Sequence, residues 1–410
     1  MAVFMARAGF ASIQYNVERN IIWVADYPES FPCSMDRVLK ADRLHGWGGV
    51  TYDPSNNAYI LNAELRIGTD SGSDTYFQIG DRQHAKPTII MAKDLVLMNG
   101  KRGSDIAGSR NMLSVGNRQN NAIAPVLRFA AERGLYISQV PAEKQPIDRL
   151  GRTFTTSSPG AEIEIYNTLI TCSQPDQKFG TCFLRGNSVA LKGTRILRSS
   201  EGVYVHSEPK QPVIENVVFE DCNTGLGHFW GWQGTLAKGC VFRNCTTALR
   251  DPNRILFQNC RFENNVQNWT IESADKVGFL DCSFGAPQKE SEIGVGATAR
   301  NNKWASTVEI NASVTLEIKD SRGNPIANAR IIARDAQNQL EQHASGDKAG
   351  KATLVLAEKK IVGTDDVKRP AVTRYSYVLS VSAEKFKTKE ISSVDLNDKS
   401  IRLVVLAALE

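Results

Sequence analysis

At 410 residues, with 41% hydrophobic and 8% aromatic side chains and 31 glycines, the chain has the composition of an ordinary folded protein of about two to three domains. No apolar run approaches the roughly 18 residues needed to span a bilayer, which excludes a helical membrane anchor within this sequence. The net charge of +5 is mild: it suits an anionic polymer, but no Lys/Arg block marks nucleic acid as the partner.

The start, Met1-Ala-Val-Phe-Met-Ala-Arg, has neither a charged leader nor a sustained apolar core, so it is not read as a signal peptide. Residues 1–45 are expected to form a capping segment, with Ser34 as N-cap of a short helix over Met35-Asp-Arg-Val-Leu-Lys-Ala-Asp42. From about 46 the pattern turns to short apolar strands punctuated by Gly, Asn and Asp: Tyr59-Ile-Leu61, Leu65-Arg-Ile67, Thr88-Ile-Ile-Met91 and Leu95-Val-Leu97. Asp70-Ser-Gly-Ser-Asp74 is a loop with two carboxylates of the kind that can hold calcium, although such loops are more often solvated turns. A polar stretch near 100–160 reads as an insertion. Within it, Ala122 to Gly134 is the best helix candidate, ending at a Gly suited to a C-cap.

Ile163-Glu-Ile165 and Leu169-Ile170 resume the strands, and then the chain begins to repeat itself. Val217-Val-Phe-Glu-Asp-Cys222, Cys240-Val-Phe-Arg-Asn-Cys245, Cys260-Arg-Phe-Glu-Asn-Asn265 and Cys282-Ser-Phe-Gly285 place Phe219, Phe242, Phe262 and Phe284 at intervals of 23, 20 and 22 residues. A period near 22 is too short for helical-pair repeats, and the units carry Val, Phe, Cys and Asn rather than helix formers. The pattern predicts a parallel β-helix. Aligned on the phenylalanines, Val217, Cys240, Cys260 and Cys282 form one column, Cys222, Cys245 and Asn265 a second, and Leu226, Leu249 and Trp269 a third. Ile196 and Val203 extend the register one coil earlier. Asp221, Asn244 and Asn264 read as a turn ladder, since Asn and Asp tolerate left-handed backbone. The recurring cysteines are read as small inward hydrophobes rather than a disulfide framework, although coil-to-coil disulfides fit the rung spacing.

The β-helix is expected to span 46–307. From 308 to 410, Val314-Thr-Leu-Glu-Ile-Lys319, Ala329-Arg-Ile-Ile-Ala-Arg334, Ala352-Thr-Leu-Val-Leu356, Tyr375 to Ser382 and Ile401 to Leu406 alternate between turns, which predicts a β-sandwich. The fold class is therefore all-β: a parallel solenoid followed by a small sandwich.

Two resemblances follow from these residues. The coils resemble the right-handed pectin-lyase-like superfamily, which implies a right-handed β-helix and admits polysaccharide lyases, glycoside hydrolases, epimerases, phage tailspikes and non-enzymatic surface proteins. The last 100 or so residues resemble carboxypeptidase-regulatory-like or transthyretin-like modules through Asp320, Gly323-Asn-Pro-Ile-Ala-Asn-Ala329, Gly350, Ala352-Thr-Leu354 and Tyr377 to Ala383. Glu384, Lys385 and Phe386 stand where that family commonly has Gly-Tyr. The resemblance implies a spacer or surface-attachment unit at the cell exterior.

His206 and His228 are 22 residues apart, one nominal coil, with Arg250 and Asp251 one coil later and Tyr204, Trp230, Trp232 and Trp269 in the same segments. Stacked, they would give aromatic platforms for sugar rings beside imidazole, guanidinium and carboxylate groups. Proton abstraction beside a uronate carboxylate needs a base, His228 or His206, and a cation, Arg250, to stabilise the enolate. Hydrolysis needs two carboxyl groups, for which Asp251 and Glu272 are nearest. The plainer alternatives are that His228 is partly inward and merely hydrogen-bonded, and that Trp230 and Trp232 cover a loop. Coil-spaced ligands rarely converge on a metal, so neither a metal nor another cofactor is expected. The leading expectation is a secreted or cell-surface protein that binds, and cleaves by β-elimination, an acidic polysaccharide. Its rivals are a non-catalytic adhesive or structural β-helix, a glycoside hydrolase, and a cytoplasmic scaffold.

Overall fold

A computed structural model describes residues 3–8, 11–68, 74–81, 85–98, 110–137, 161–186, 188–207, 211–271, 276–285, 294–295, 306–337, 340–364, 370–392, 394, 396 and 402–409, with backbone alone for 3–12, 183, 185, 186, 206, 207, 228–234, 294 and 295. Their contacts divide the chain into two compact units, one of Met1–Ile255, Cys260–Ile271 and Phe284–Gln288, the other of Leu256–Asn259, Glu272–Ser283 and Lys289–Glu410.

The first unit is a parallel β-helix whose coils visit three faces in turn. Strands Ala58–Leu61, Thr88–Met91, Val126–Phe129, Leu169–Cys172, Arg195–Leu197, Val218–Glu220, Val241–Arg243 and Arg261–Glu263 stack in parallel on the first face. Their register runs Tyr59, Ile89, Leu127, Ile170, Ile196, Phe219, Phe242, Phe262, so one inward column passes through eight coils. All eight side chains are at most 2% exposed. The aromatic part is a ring stack: centroids lie 4.7 Å apart for Phe219 and Phe242, 4.9 Å for Phe242 and Phe262, and 5.1 Å for Phe262 and Phe284. No coil could bury its own phenylalanine, and each ring is desolvated by the rungs above and below.

The second face carries Glu64–Ile67, Leu95–Leu97, Leu135–Ile137, Phe179–Gly186, Ser199–Ser207, Thr247–Arg250 and Gln267–Ile271. The third carries Thr75–Ile79, Asn111–Val115, Ala161–Tyr166, Ser188–Lys192 and Val213–Glu215. Thr224–Lys238 serves both, pairing with the second-face strands near its start and with Val213–Glu215 near its end.

In the later coils two corners turn through single left-handed residues. From the first face to the second these are Arg198, Asp221, Asn244 and Asn264, with φ of 63°, 54°, 54° and 53°. The N–H groups of Arg198, Asp221 and Asn244 donate to Glu220, Arg243 and Glu263 of the next coil. The polar ladder is thus structural. Asn167, Gly193, Asn216 and Gly239 do the same from the third face to the first, at φ of 51°, 60°, 53° and 64°.

The leading segment holds the antiparallel strands Val3–Ala8, Ala11–Asn16 and Ile21–Ala25, the last of which pairs in parallel with Glu64–Ile67. The helix Met35–His45 forms where the sequence places it: Asp36 sits in its first turn, Arg43 and His45 in its last, and Gly46 ends it at φ 64°.

Between Ala122 and Gly134 the structure has a strand, Val126–Phe129, not a helix. Leu127 and Phe129 point inward and are fully buried while Arg128 is exposed, a period of two. Stacking on Ile89 and Ile170 outweighs the helical preference of the alanines. Residues 110–137 are accordingly coil, not insertion; 101–109 and 138–160 lie outside the described residues.

In the second unit, Thr307–Asp320 pairs in parallel with Lys276–Leu280 over its first half and with Arg402–Leu406 over its second, and antiparallel with Lys351–Val362. A second sheet, ordered Glu341–Ser345, Arg330–Asp335, Tyr377–Ser382, Lys389–Ile391, faces it. Leu316, Ile318, Ile331, Leu356, Leu379 and Val381 share the core between them, which makes this part a β-sandwich.

Candidate functional site

The third corner, from the second face to the third, differs from coil to coil. Residues 138–160 separate Ile137 from Ala161, one residue separates Gly186 from Ser188, and Thr224–Lys238 passes the corner as one strand. Most of the sequence-derived candidates gather at or beside it. Tyr204 and His206 lie on Ser199–Ser207, His228, Trp230 and Trp232 on Thr224–Lys238, Arg250 closes Thr247–Arg250, and Asp251 is the corner residue of its coil.

Their order along the stack differs from simple 22-residue spacing. Val203 pairs with Leu226 and Val205 with Phe229, so the single residue Tyr204 stands opposite two, Gly227 and His228. This is a β-bulge. His206 therefore pairs with Trp230 rather than His228, and Arg185 with His206 on the preceding coil. Leu226 pairs with Leu249, and Arg250 with Thr270. One residue past the leucine pair stand Gly227 and Arg250. Successive rungs thus bring Tyr204, the Gly227-His228 bulge and Arg250 together, about 4.8 Å per step.

Gly227 is fitted to this arrangement. A Cβ there would come within 2.9 Å of Tyr204 Cε2 and 3.2 Å of Cδ2 and Cζ, so the tyrosine ring fills the space a side chain would need. Bulges re-aim side chains and concentrate beside active sites. The bulge and Gly227 escaped the periodicity argument, although a glycine inside a strand, as in Thr224-Gly-Leu-Gly-His228, is a recognised bulge signal.

Other candidates change standing. Trp269 is 2% exposed and continues the Val203, Leu226, Leu249 column, with its ring edge-on to Phe262 and Phe284. It is a core residue and offers no platform to a sugar. Asp251 has φ 45° and its N–H donates to Thr270 O at 2.8 Å. The turn accounts for its residue type, as in the polar ladders. Glu272 lies outside the described residues, so no carboxylate pair with Asp251 is seen. Arg250 is exposed, and among the described residues it makes no ion pair. Tyr204 is half-buried. For His206, His228, Trp230 and Trp232 the backbone position is described.

Several charged groups away from the corner are engaged with each other. Glu220, on the first face, takes hydrogen bonds from Arg195 Nε at 2.8 Å and Arg243 Nη2 at 2.9 Å. Burial alone would push its carboxyl up, but the two guanidinium groups outweigh it and hold it below the usual carboxylate value. On the third face Arg110 bridges Glu162 at 2.5 Å and the Tyr76 hydroxyl at 2.6 Å, and its N–H donates to Asp74. Of the proposed calcium loop, Asp74 alone is described, and its carboxylate is used in that way.

All eight cysteines are free thiols, seven of them buried. Cys222 and Cys245 direct Sγ at the carbonyls of Ile196 and Phe219 one coil back, both at 3.8 Å. Burial pushes the Cys182 thiol up to about 12, which removes it as a nucleophile at neutral pH. Among the described residues no three His, Cys, Asp or Glu side chains are grouped as for a metal. No helix of the described residues is long and apolar enough to cross a membrane.

No protein-family model matches the chain, and no curated protein matches it.

Proposed function

We propose that this is a carbohydrate-active β-helix protein of the cell exterior, which binds an acidic polysaccharide along the corner between its second and third faces and cleaves it by β-elimination. The observation that carries the reading is the bulge: it inserts His228 between Tyr204 and exposed Arg250 on adjacent rungs. In that reaction His228 takes the proton α to a uronate carboxylate and Arg250 stabilises the enolate. The electron pair then expels the β-linked sugar oxygen, which leaves with a proton, and a C=C bond remains in the product. Tyr204, Trp230 and Trp232 supply stacking surfaces for sugar rings, and His206 with Arg185 would engage hydroxyl or carboxylate groups of the flanking residues.

Hydrolysis is the weaker reading, because the carboxylate of Asp251 belongs to a residue the turn already requires. The test is incubation with soluble polyuronides while binding and the ultraviolet absorbance of an unsaturated product are followed together. Product formed by the wild type, and reduced roughly 100- to 10,000-fold in His228→Ala, is expected. Binding without product would assign a non-catalytic adhesive face instead, and neither binding nor product would remove the carbohydrate reading.

A further inference from the structure

The outward column of the second face changes character along the stack. Register carries it from Arg66 through Val96, Tyr136, Phe183 and Tyr204 to the Gly227-His228 bulge, and Arg250 follows one coil later. In the later coils the column is open: Tyr204 is half-buried and Arg250 exposed. In the earlier coils it is closed. Arg66 is 6% exposed, Val96 2% and Tyr136 8%, although each points away from an interior occupied by Leu65, Ile67, Leu95, Leu97, Leu135 and Ile137.

Val96 and Tyr136 form, with Met98, a small hydrophobic cluster of their own. Outward side chains on a bare sheet keep part of their surface in water, so burial to this depth means that the chain itself lies over these rungs. The Arg66 guanidinium is paired with Glu64 at 2.6 Å. A uronate polymer carries a charge on every sugar, and an apolar cluster beside an ion pair already made would desolvate those charges without offering them a partner. The connections that leave the second face in the coils of Val96 and Tyr136, 98–110 and 138–160, are also long, against one residue between Gly186 and Ser188. Tyr136 stands three rungs, about 14 Å, before the bulge.

We infer that the polysaccharide track is closed at its early-coil end, so that the site accepts the end of a polymer and removes short oligosaccharides of one size: an exo-acting rather than an endo-acting lyase. The wall made by Arg66, Val96 and Tyr136 sets how much sugar fits on one side of His228, and the rest of the polymer runs the other way, past Arg250. This rests on the β-elimination reading and adds to it where along the polymer the cut falls. Each cut is the same elimination: a C–H and a C–O bond break, a C=C bond forms, and the proton taken by His228 is returned to the departing sugar oxygen, with no water or oxidant consumed.

The test digests polygalacturonate and alginate with the full chain while product sizes, viscosity and ultraviolet absorbance are followed together. One dominant short product from the earliest times is expected, with viscosity falling slowly relative to the bonds cut. At equal mass and well below saturation, polymer of half the mean length should react about twofold faster, because ends and not internal bonds are then the substrate. A broad ladder of oligomers at early times, a steep fall in viscosity and a rate indifferent to chain length would overturn the closed track and leave the lyase reading standing. Absence of any unsaturated product overturns this inference together with the functional reading beneath it.

Discussion

The early and late coils of the β-helix share one interior and differ in how openly they announce it. From Phe219 onward the first-face column is aromatic and its spacing nearly constant; before it the same column holds Tyr59, Ile89, Leu127, Ile170 and Ile196 at intervals of 30, 38, 43 and 26 residues. The extra residues fall between strands at all three corners, 98–110 and 138–160 between the second and third faces, 80–87 and 116–125 between the third and first, and 173–178 between the first and second, so the rungs keep register while the chain length per coil varies. Register is fixed by what is buried, and the number of residues per coil is free wherever the chain turns outside the core.

This contrast can be broken by mutation. Phe242→Ala removes a ring stacked on both sides and is expected to cost about 3–5 kcal/mol in denaturant unfolding, against roughly 2–4 kcal/mol for Leu127→Ala in the early coils. Because neighbouring coils carry the interaction, hydrogen exchange should rise around 217–265 in the first variant and in the strands 88–91, 126–129 and 169–172 in the second. Uniform loss of protection in either would contradict the nearest-neighbour picture.

A smaller effect sharpens the electrostatic side of the late coils. Since the Glu220 carboxyl is held below its ordinary value in the folded chain, its contribution is fully present above the unfolded value of about 4.3 and fades as pH falls through the lower folded value. Glu220→Gln should therefore cost about 1 kcal/mol at pH 7 and approach wild type in acid, read from unfolding curves across pH 2–7. A constant gap across that range would place the effect in packing. Smallest of all, Asn244→Ala removes the polar side chain that lets asparagine adopt φ 54° and should cost about 1 kcal/mol, while Asn244→Gly, free of a β-carbon, should stay within a few tenths. Equal losses for both would mean that the asparagine side chain, not its backbone, holds the turn.

The same physics explains what could be read from the sequence. The phenylalanine column, the inward cysteines and the Asp221, Asn244, Asn264 ladder were legible because a buried rung or a left-handed turn admits few residue types. The strand at Val126–Phe129 was obscured by the alanines around it, whose helical preference is outweighed only by contacts with coils 38 and 43 residues away. At the candidate site, Tyr204, His228 and Arg250 are visible in the sequence as residue types, but a fixed period does not show that the bulge at Gly227-His228 shifts His206 onto Trp230. Trp269 shows the opposite: its residue type suggests a platform, but it follows the leucine column inward.

The register at that bulge is the point on which the site depends, and paired cysteines measure it directly. In register, positions 206 and 230 lie one rung apart, about 4.8 Å, whereas 206 and 228 are diagonal at about 8 Å, beyond the roughly 7 Å a disulfide can bridge. Under mild oxidation His206→Cys with Trp230→Cys should cross-link readily and His206→Cys with His228→Cys should not. Preferential linking of 206 to 228 would show plain 22-residue pairing in place of this register, since even an unbulged continuation of the Val203–Leu226 pair would set 206 opposite 229, and would take the proposed corner with it.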